Sequence, residues 1–448
     1  MKLWQKDKVA TQEVEHFTVG NDRHWDLQLA EADILGNMAH ARMLEKTGLL
    51  TAAERQDLHT VLQQLLAQVA AGHFTLDDAV EDIHSQVEFH LTAQLGDTGK
   101  KIHTARSRND QVLVDLKLFL RKELQQIVEA IVPLFNLLQQ KSEQHRNDLL
   151  PGYTHLQLAM PSSFGLWFGA YAESLSDDLV ALEAAFRITN KNPLGSAAGY
   201  GSSFPISRQH TTDLLGFDSL HYNVVYAQMG RGKTERLVAM ALSGVADTLS
   251  KMAMDMCLFM NQEFGYVSFP DELTTGSSIM PHKKNPDVWE IIRGRCNRIK
   301  ALPNEIMLLT TNLPSGYHRE FQLLKEQLFP ALESLKDCLH MSGLMLQHIT
   351  IRQHILNDEK YRYLFSVEMV NQLVNQGMPF REAYKTVGRA IEDGSYTYTT
   401  QLNHTHEGSM GNLCNDAVAA QFNATLARFP FAGIAAALAA LTAGPIQH

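Results

Sequence analysis

The chain has 448 residues, 45% of them hydrophobic, and a formal net charge of −10 from 49 acidic and 39 basic side chains. That length can bury a sizeable core and suggests about three domains. No arm or block concentrates the positive charge, which excludes the electrostatic footprint of a nucleic-acid binder.

The N-terminal stretch MKLWQKDKVATQEVEHF lacks the apolar run of a secretory signal. In the first hundred residues, Leu50-Thr51-Ala52-Ala53-Glu54 reads as a helix N-cap within a smaller helical unit. Asp110–His145 then carries Leu116, Leu120, Leu124, Ile127, Ile131, Leu134 and Leu138 at helical spacing, with Pro133 inside expected to kink or loosen it. Similar stretches run over Ser163–Thr189, Lys233–Gln262, the segment after Pro286, and Gln322–His348. Helices this long, apolar on several faces, must bury those faces against one another, so a helix bundle is expected. Strand-like alternation is confined to short pieces such as Tyr222–Tyr226, and without regular βα alternation a doubly wound sheet is excluded.

Cys257, Cys296, Cys338 and Cys414 lie far apart with no Cys-x-x-Cys pair. Buried thiols in a reducing compartment are expected instead of a disulfide frame or zinc site. The apolar C-terminal stretch FAGIAAALAALTAG falls short of the roughly 20 residues that span a bilayer. A cytoplasmic protein without membrane attachment is the expectation.

Gly/Pro/Ser-rich stretches at Pro151–Pro161, Asn192–Pro205, Phe269–Pro286 and Leu313–Tyr317 punctuate the helices, and such loops are where chemistry concentrates. HTARSRNDQ (His103–Gln111) sets hydroxyls, a guanidinium from Arg106 or Arg108, and the Asn109 amide just where the longest helix begins. An arginine fork beside free helix N–H groups suits a carboxylate, although capping by Asn109 or Asp110 with solvated arginines explains the string equally well. PGYTHLQLAMP (Pro151–Pro161) puts one of twenty histidines, His155, in a turn between helices, where it can donate or accept a proton. TTGSSIMPHKKNPDVWE (Thr274–Glu290) joins a flexible hydroxyl-bearing turn to two lysines, an asparagine and a helix. That composition fits a lid over an anion or, more plainly, a solvated basic loop.

GSSIMPHKKNP resembles the signature loop GSSxMPxKxNP of the fumarase/aspartase superfamily at every fixed position. HTARSRNDQ and GYTHLQ resemble the other two signature segments in the form found in argininosuccinate lyases. EDIH (Glu81–His84) and Leu364–Gly388 are similar to that family as well, in order over nearly the whole chain. The resemblance implies an all-α, three-domain fold, with a central long-helix bundle that forms the core of a homotetramer. The division implied is an N-terminal helical domain over 1–105, a bundle domain over 106–355 and a small helical domain over 356–448. Each active site would combine segments from three subunits.

The implied reaction is anti β-elimination of argininosuccinate to arginine and fumarate, with no cofactor and no metal. Carried over by position, Ser277 is the base and His155 the acid, Glu290 holds the histidine, and Lys283 and Asn285 neutralise developing charge. Thr104, Ser107, Arg108, Asn109 and Thr154 are implied for the succinyl carboxylates. Asp26, Tyr317, Gln322 and Lys325 are implied for the amino-acid half. The chain departs from the family pattern at His282 and Met160 (usually Gln), at Ala105 (usually Gly), and at Gly230-Arg231-Gly232, where acids usually flank the arginine. A family serine is also replaced near Asn21–Asp22.

His282 is shared with a lactonising branch, so adenylosuccinate-type and carboxymuconate-type chemistry stand as alternatives. A more distant reading takes Ala227–Thr234 as a P-loop-like nucleotide site, with YNVVY as its strand. A non-catalytic homologue like the lens crystallins is a third, opposed by the intact His155, Ser277, Lys283, Asn285 and Glu290. His404-Thr-His406-Glu407 has the composition of a metal site but reads as a solvated polar loop.

Overall fold

The computed structural model describes residues 12–77 and 80–443. Most of the N-terminal stretch read for a signal thus lies outside the described residues. Three helices, α1 (Ala30–Lys46), α2 (Ala52–Ala70) and α3 (Ile83–Leu95), form the first unit. The expected cap is present: Thr51 Oγ1 accepts from Glu54 N at 3.2 Å and Glu54 Oε2 accepts from Thr51 N at 2.9 Å.

The longest helix, α4 (Arg108–Gln144), starts two residues before its expected boundary because Ser107, not Asn109 or Asp110, is the N-cap. Asp110 closes the capping box from position N3, and the helix runs through Pro133 without a break. The long helices α5 (Phe164–Thr189), α6 (Lys233–Met260), α7 (Asp287–Leu309) and α8 (Leu324–Gln347) complete the bundle, each within a few residues of expectation. Their apolar faces meet in one core that includes Leu124, Phe168, Leu249, Trp289 and Leu332. α6 is long and apolar enough to cross a membrane, but most of that apolar stretch is buried inside the bundle. The α7 helix runs antiparallel to α6: Lys300 Nζ lies 2.7 Å from Asp247 Oδ1, and Arg293 Nη1 lies 3.0 Å from Met254 Sδ.

Beyond the bundle, α9 (Ser366–Asn375) and α10 (Phe380–Glu392) pack around their own small cluster of Val370, Ala383 and Val387. The last two helices, α11 (Asn415–Leu426) and α12 (Phe431–Thr442), return to the main core, where Phe422 stacks on Phe135 at 3.8 Å. Pro430 divides this apolar stretch into two 12-residue helices, each far short of the about 20 residues a span requires. Cys296 and Cys338 are buried free thiols as expected, whereas Cys257 and Cys414 are only half-buried.

Among the described residues the strands form four two-stranded sheets. Two of them bear on function. β1 (Leu149–Thr154) pairs antiparallel with β2 (Gln157–Ser163), which makes the His155 loop the two-residue tip of a hairpin. β3 (Thr275–Gly276) pairs with β4 (Lys284–Asn285) and closes the Ser277 loop into a second hairpin. The strand-like YNVVY is not a strand. Asn223 caps a short helix, Val224–Met229, by accepting from Val225 N and Tyr226 N, and that cap overrides the β-branched alternation.

Candidate active site

A cavity of about 220 Å³ opens at the Arg108 end of the bundle. Its lining brings together six of the residues implied by sequence: Asp26, Arg108, Asn109, Tyr317, Gln322 and Lys325. Arg108, not Arg106, faces this space. The N-cap of α3 orients it: Arg108 Nη1 lies 3.0 Å from Asp82 Oδ2, and Arg108 Nη2 donates to Ser85 Oγ at 2.8 Å. The α4 N-terminus is itself anchored, because Asp110 Oδ2 accepts from Gly195 N and Ala197 N, both at 2.9 Å. Ser107 caps α4 beside the cavity, and the Thr104 carbonyl accepts from His40 Nε2 at 2.9 Å.

Ala105 has φ of 59°. This is the left-handed region, which glycine adopts freely and an L side chain only at a cost.

Lys325 closes the cavity floor, with Nζ 2.8 Å from Asp26 Oδ1 and 2.7 Å from Asp22 Oδ1. Burial opposes its charge, but Asp26 and Asp22 outweigh that and raise the ammonium above its usual range. Asp26 spends its other oxygen on Ile83 N at 2.7 Å, at the start of α3. Asp26 therefore holds Lys325 and α3 in place. Burial, with the neighbouring charge of Asp26, pushes the Asp22 carboxyl up to about 6 despite Lys325. Gln322 Nε2 donates to Thr18 O at 3.0 Å and Val19 O at 3.2 Å, so it also fixes the N-terminal segment over the cavity.

The remaining implied residues lie at the other end of the bundle. His155 and Leu156 have φ of 55° and 59°, the paired positive values of a primed hairpin turn. Thr154, His155 and Leu156 are exposed at this tip, and Leu156 is 82% exposed. The hairpin is braced below by Tyr153 Oη, 2.6 Å from Tyr266 Oη just beyond the end of α6. In the second hairpin, Ser277 Oγ accepts from Met280 N at 3.1 Å, and Asn285 Nδ2 donates to Thr275 Oγ1 at 3.4 Å. Lys284 pairs with Asp271, while its neighbour Lys283 is exposed. Glu290 is exposed on the first turn of α7 and makes no hydrogen bond to His155 among the described residues.

The spacing between these two groups follows from α7. Thr310, at its far end, meets Gly232 beside Arg231 and Phe321, at the cavity. Its 23 residues at about 1.5 Å each put the Ser277 loop roughly 35 Å from the cavity. One chain thus carries both groups of implied residues but does not bring them together.

Several cavity residues are absent from the sequence-based set: Asp22, His84, Arg231 and Arg319. His84 lies in the EDIH segment and Arg231 in the Gly-Arg-Gly segment, so both were within view. The P-loop reading fails on geometry. A helix precedes Gly230, and Lys233 lies exposed, its Nζ 5.6 Å from the centre of the Tyr226 ring. His404 Nε2 lies 2.9 Å from Glu368 Oε1, which accounts for it without His406.

A family model described as lyase matches residues 10–301. The argininosuccinate lyase of Bacteroides fragilis is 58% identical over 433 residues, 97% of each chain. That of Phocaeicola vulgatus is 59% identical over 417 residues, covering 93% of this chain and 94% of its own.

The chain belongs to the argininosuccinate lyase family.

Its fold is that of the wider group: EDDS lyase in complex with formate superposes with a TM-score of 0.75 at 22% identity, over 97% of this chain and 95% of that one. Within the argininosuccinate lyase family, then, the chain is an all-α lyase.

Proposed function

We propose that the chain cleaves argininosuccinate to arginine and fumarate by anti β-elimination. The observation that carries this reading is the cavity itself, whose lining brings together Arg108, Asn109, Tyr317, Gln322 and Lys325. Such a lining offers several cationic and amide donors to carboxylates, as a substrate with a succinyl group and an amino-acid end requires.

In this reading Ser277 removes the proton from the carbon beside a succinyl carboxylate. The electron pair left behind becomes the carbon–carbon double bond as the C–N bond breaks, and His155 protonates the departing guanidino nitrogen. Glu290 holds the histidine. Thr104, Ser107, Arg108, Asn109 and Thr154 bind the succinyl carboxylates, and Lys283 and Asn285 neutralise the dianionic intermediate. One preorganised donor of this kind is worth about 3 kcal/mol. Lys325, Tyr317 and Gln322 hold the amino-acid half, with Asp26 acting through Lys325.

The 35 Å gap estimated along α7 supports a site assembled from several copies, and a homotetramer of long-helix bundles meets that need. Met240 and Met254 on α6, with Ile291 and Leu308 on α7, expose apolar surface suited to such contacts. The same reading divides the chain at about residues 105 and 355.

The test is an absorbance assay of fumarate release with argininosuccinate, adenylosuccinate and malate offered separately. Turnover of argininosuccinate alone is expected. Turnover of another substrate in its place defeats the assignment.

A further inference from the structure

Behind the cavity wall lies a cluster that this mechanism does not use. His84 Nδ1 is 2.7 Å from Asp33 Oδ1 and 3.3 Å from Asp115 Oδ2. His84 is 5% exposed and both aspartates are 0% exposed. Asp33 also accepts from Asn37 Nδ2 at 2.8 Å and Gln111 Nε2 at 2.7 Å, so its position is fixed from three sides. Neither oxygen of Asp115 finds a regular hydrogen-bond donor. Two adjacent carboxylates with no access to water do not both ionise, so one proton serves the pair. Burial and the Asp33 charge push Asp115 well above the ordinary carboxylate range, which places the proton there.

The ring's other edge turns outward. His84 lines the cavity with Arg108, Asn109 and Lys325, and its Nε2 has no partner among the described residues. The titratable and charged groups around the ring are Asp26, Asp33, Asp82, Asp115 and His103, with Arg106 facing Asp33 and Asp115 from the α4 N-terminal side. Burial opposes a charged ring, but the Asp33 hydrogen bond and charge, with Asp82 and Asp26, raise the imidazole above its usual range.

We propose that His84 is a substrate-binding residue: an imidazolium whose Nε2–H takes a carboxylate of the bound molecule, with Asp33 and Asp115 as positioning residues that hold the ring through one shared proton. The assignment rests on reading this cavity as the substrate's. It adds a cationic donor to the lining that holds Arg108 and Lys325 and explains why so polar a cluster is kept in the interior.

The test uses the full-length enzyme and its H84Q, D33N and D115N variants, with folding checked by urea denaturation. For H84Q and D33N, KM rises about tenfold or more while kcat changes less than about threefold. D115N, whose amide copies the protonated carboxyl, raises KM least, by about two- to threefold. The wild-type kcat/KM falls at alkaline pH as His84 loses its proton, and this limb moves to lower pH in D33N. An unchanged KM and pH profile in H84Q overturns the proposal, and so does D115N damage equal to that of D33N. The three ligand atoms lie within 4.8 Å of one another. Activity lost to EDTA and regained with Zn²⁺ would therefore make the cluster a metal site and overturn it equally. Absence of argininosuccinate turnover in the wild type defeats the substrate assignment alone. His84 is then judged by calorimetry with fumarate, where H84Q weakens Kd about tenfold.

Discussion

Lys325 and Asp26 form a buried ion pair at 2.8 Å that ties α8 to the segment entering α1. Removing the cation by Lys325→Met leaves the buried Asp26 beside the half-buried Asp22 without their shared ammonium, with only His84 and Arg231 as nearby cations. The expected cost is about 3–5 kcal/mol of stability, together with a raised KM. Urea denaturation followed by circular dichroism reads the first and steady-state kinetics the second. A variant as stable as the wild type would show that the pair is solvated.

Ala105 gives the opposite sign. Its φ of 59° is cheap for glycine and costs an L side chain about 1–2 kcal/mol. Ala105→Gly is therefore expected to stabilise the protein by up to about 1 kcal/mol, because the added freedom of the unfolded chain offsets part of the gain. The shift in urea midpoint measures it, and a loss of stability would place the strain elsewhere.

Acid sensitivity should trace in part to His221, which is 4% exposed beside the Tyr226 ring. Burial, then the charges of Lys117, Lys191 and Arg208, lower its pKa from 6.5 to about 3. The unfolded chain takes up this proton below pH 6.5 and the folded chain does not. The stabilising contribution is thus intact above pH 6.5 and is lost as pH falls toward 3. Its slope is at most about 1.4 kcal/mol per pH unit. His221→Phe should flatten stability over that window in a pH series of urea melts, and an unaltered slope rules the residue out.

Complementation tests the shared site. An Arg108→Ala chain and a Ser277→Ala chain should each be nearly inactive, with kcat of the second down roughly 10²–10⁴-fold. Co-refolded in equal amounts, they should recover about a quarter of wild-type activity, because each site draws the two residues independently from a mixed pool of subunits. No recovery would mean that both residues come from the same chain.

The long helices were legible because their apolar spacing persists over 23 to 37 residues, too long for any strand. The hairpin around His155 was not, because its tip is His-Leu where Asn-Gly is the usual sign. YNVVY misled for a related reason, since its β-branched pair sits in a helix held by the Asn223 cap. Six of the implied binding residues share one cavity. Asp33 and Asp115 gave no signal because periodicity counts apolar residues and these are polar groups buried on helices, while His84 stood in the EDIH segment without a role attached to it. The distance between the two halves of the chemistry could not be read either, since it depends on the antiparallel order of α6 and α7 rather than on any local string.

In the shared-site reading, that order makes catalysis a matter of concentration. No loop movement in a single chain reaches across a rigid helix of 23 residues, so in that reading a lone copy has nothing to switch on. Diluted below the point where copies hold together, the enzyme should lose turnover faster than it loses protein. A modest fall in its synthesis would then cost the cell disproportionately.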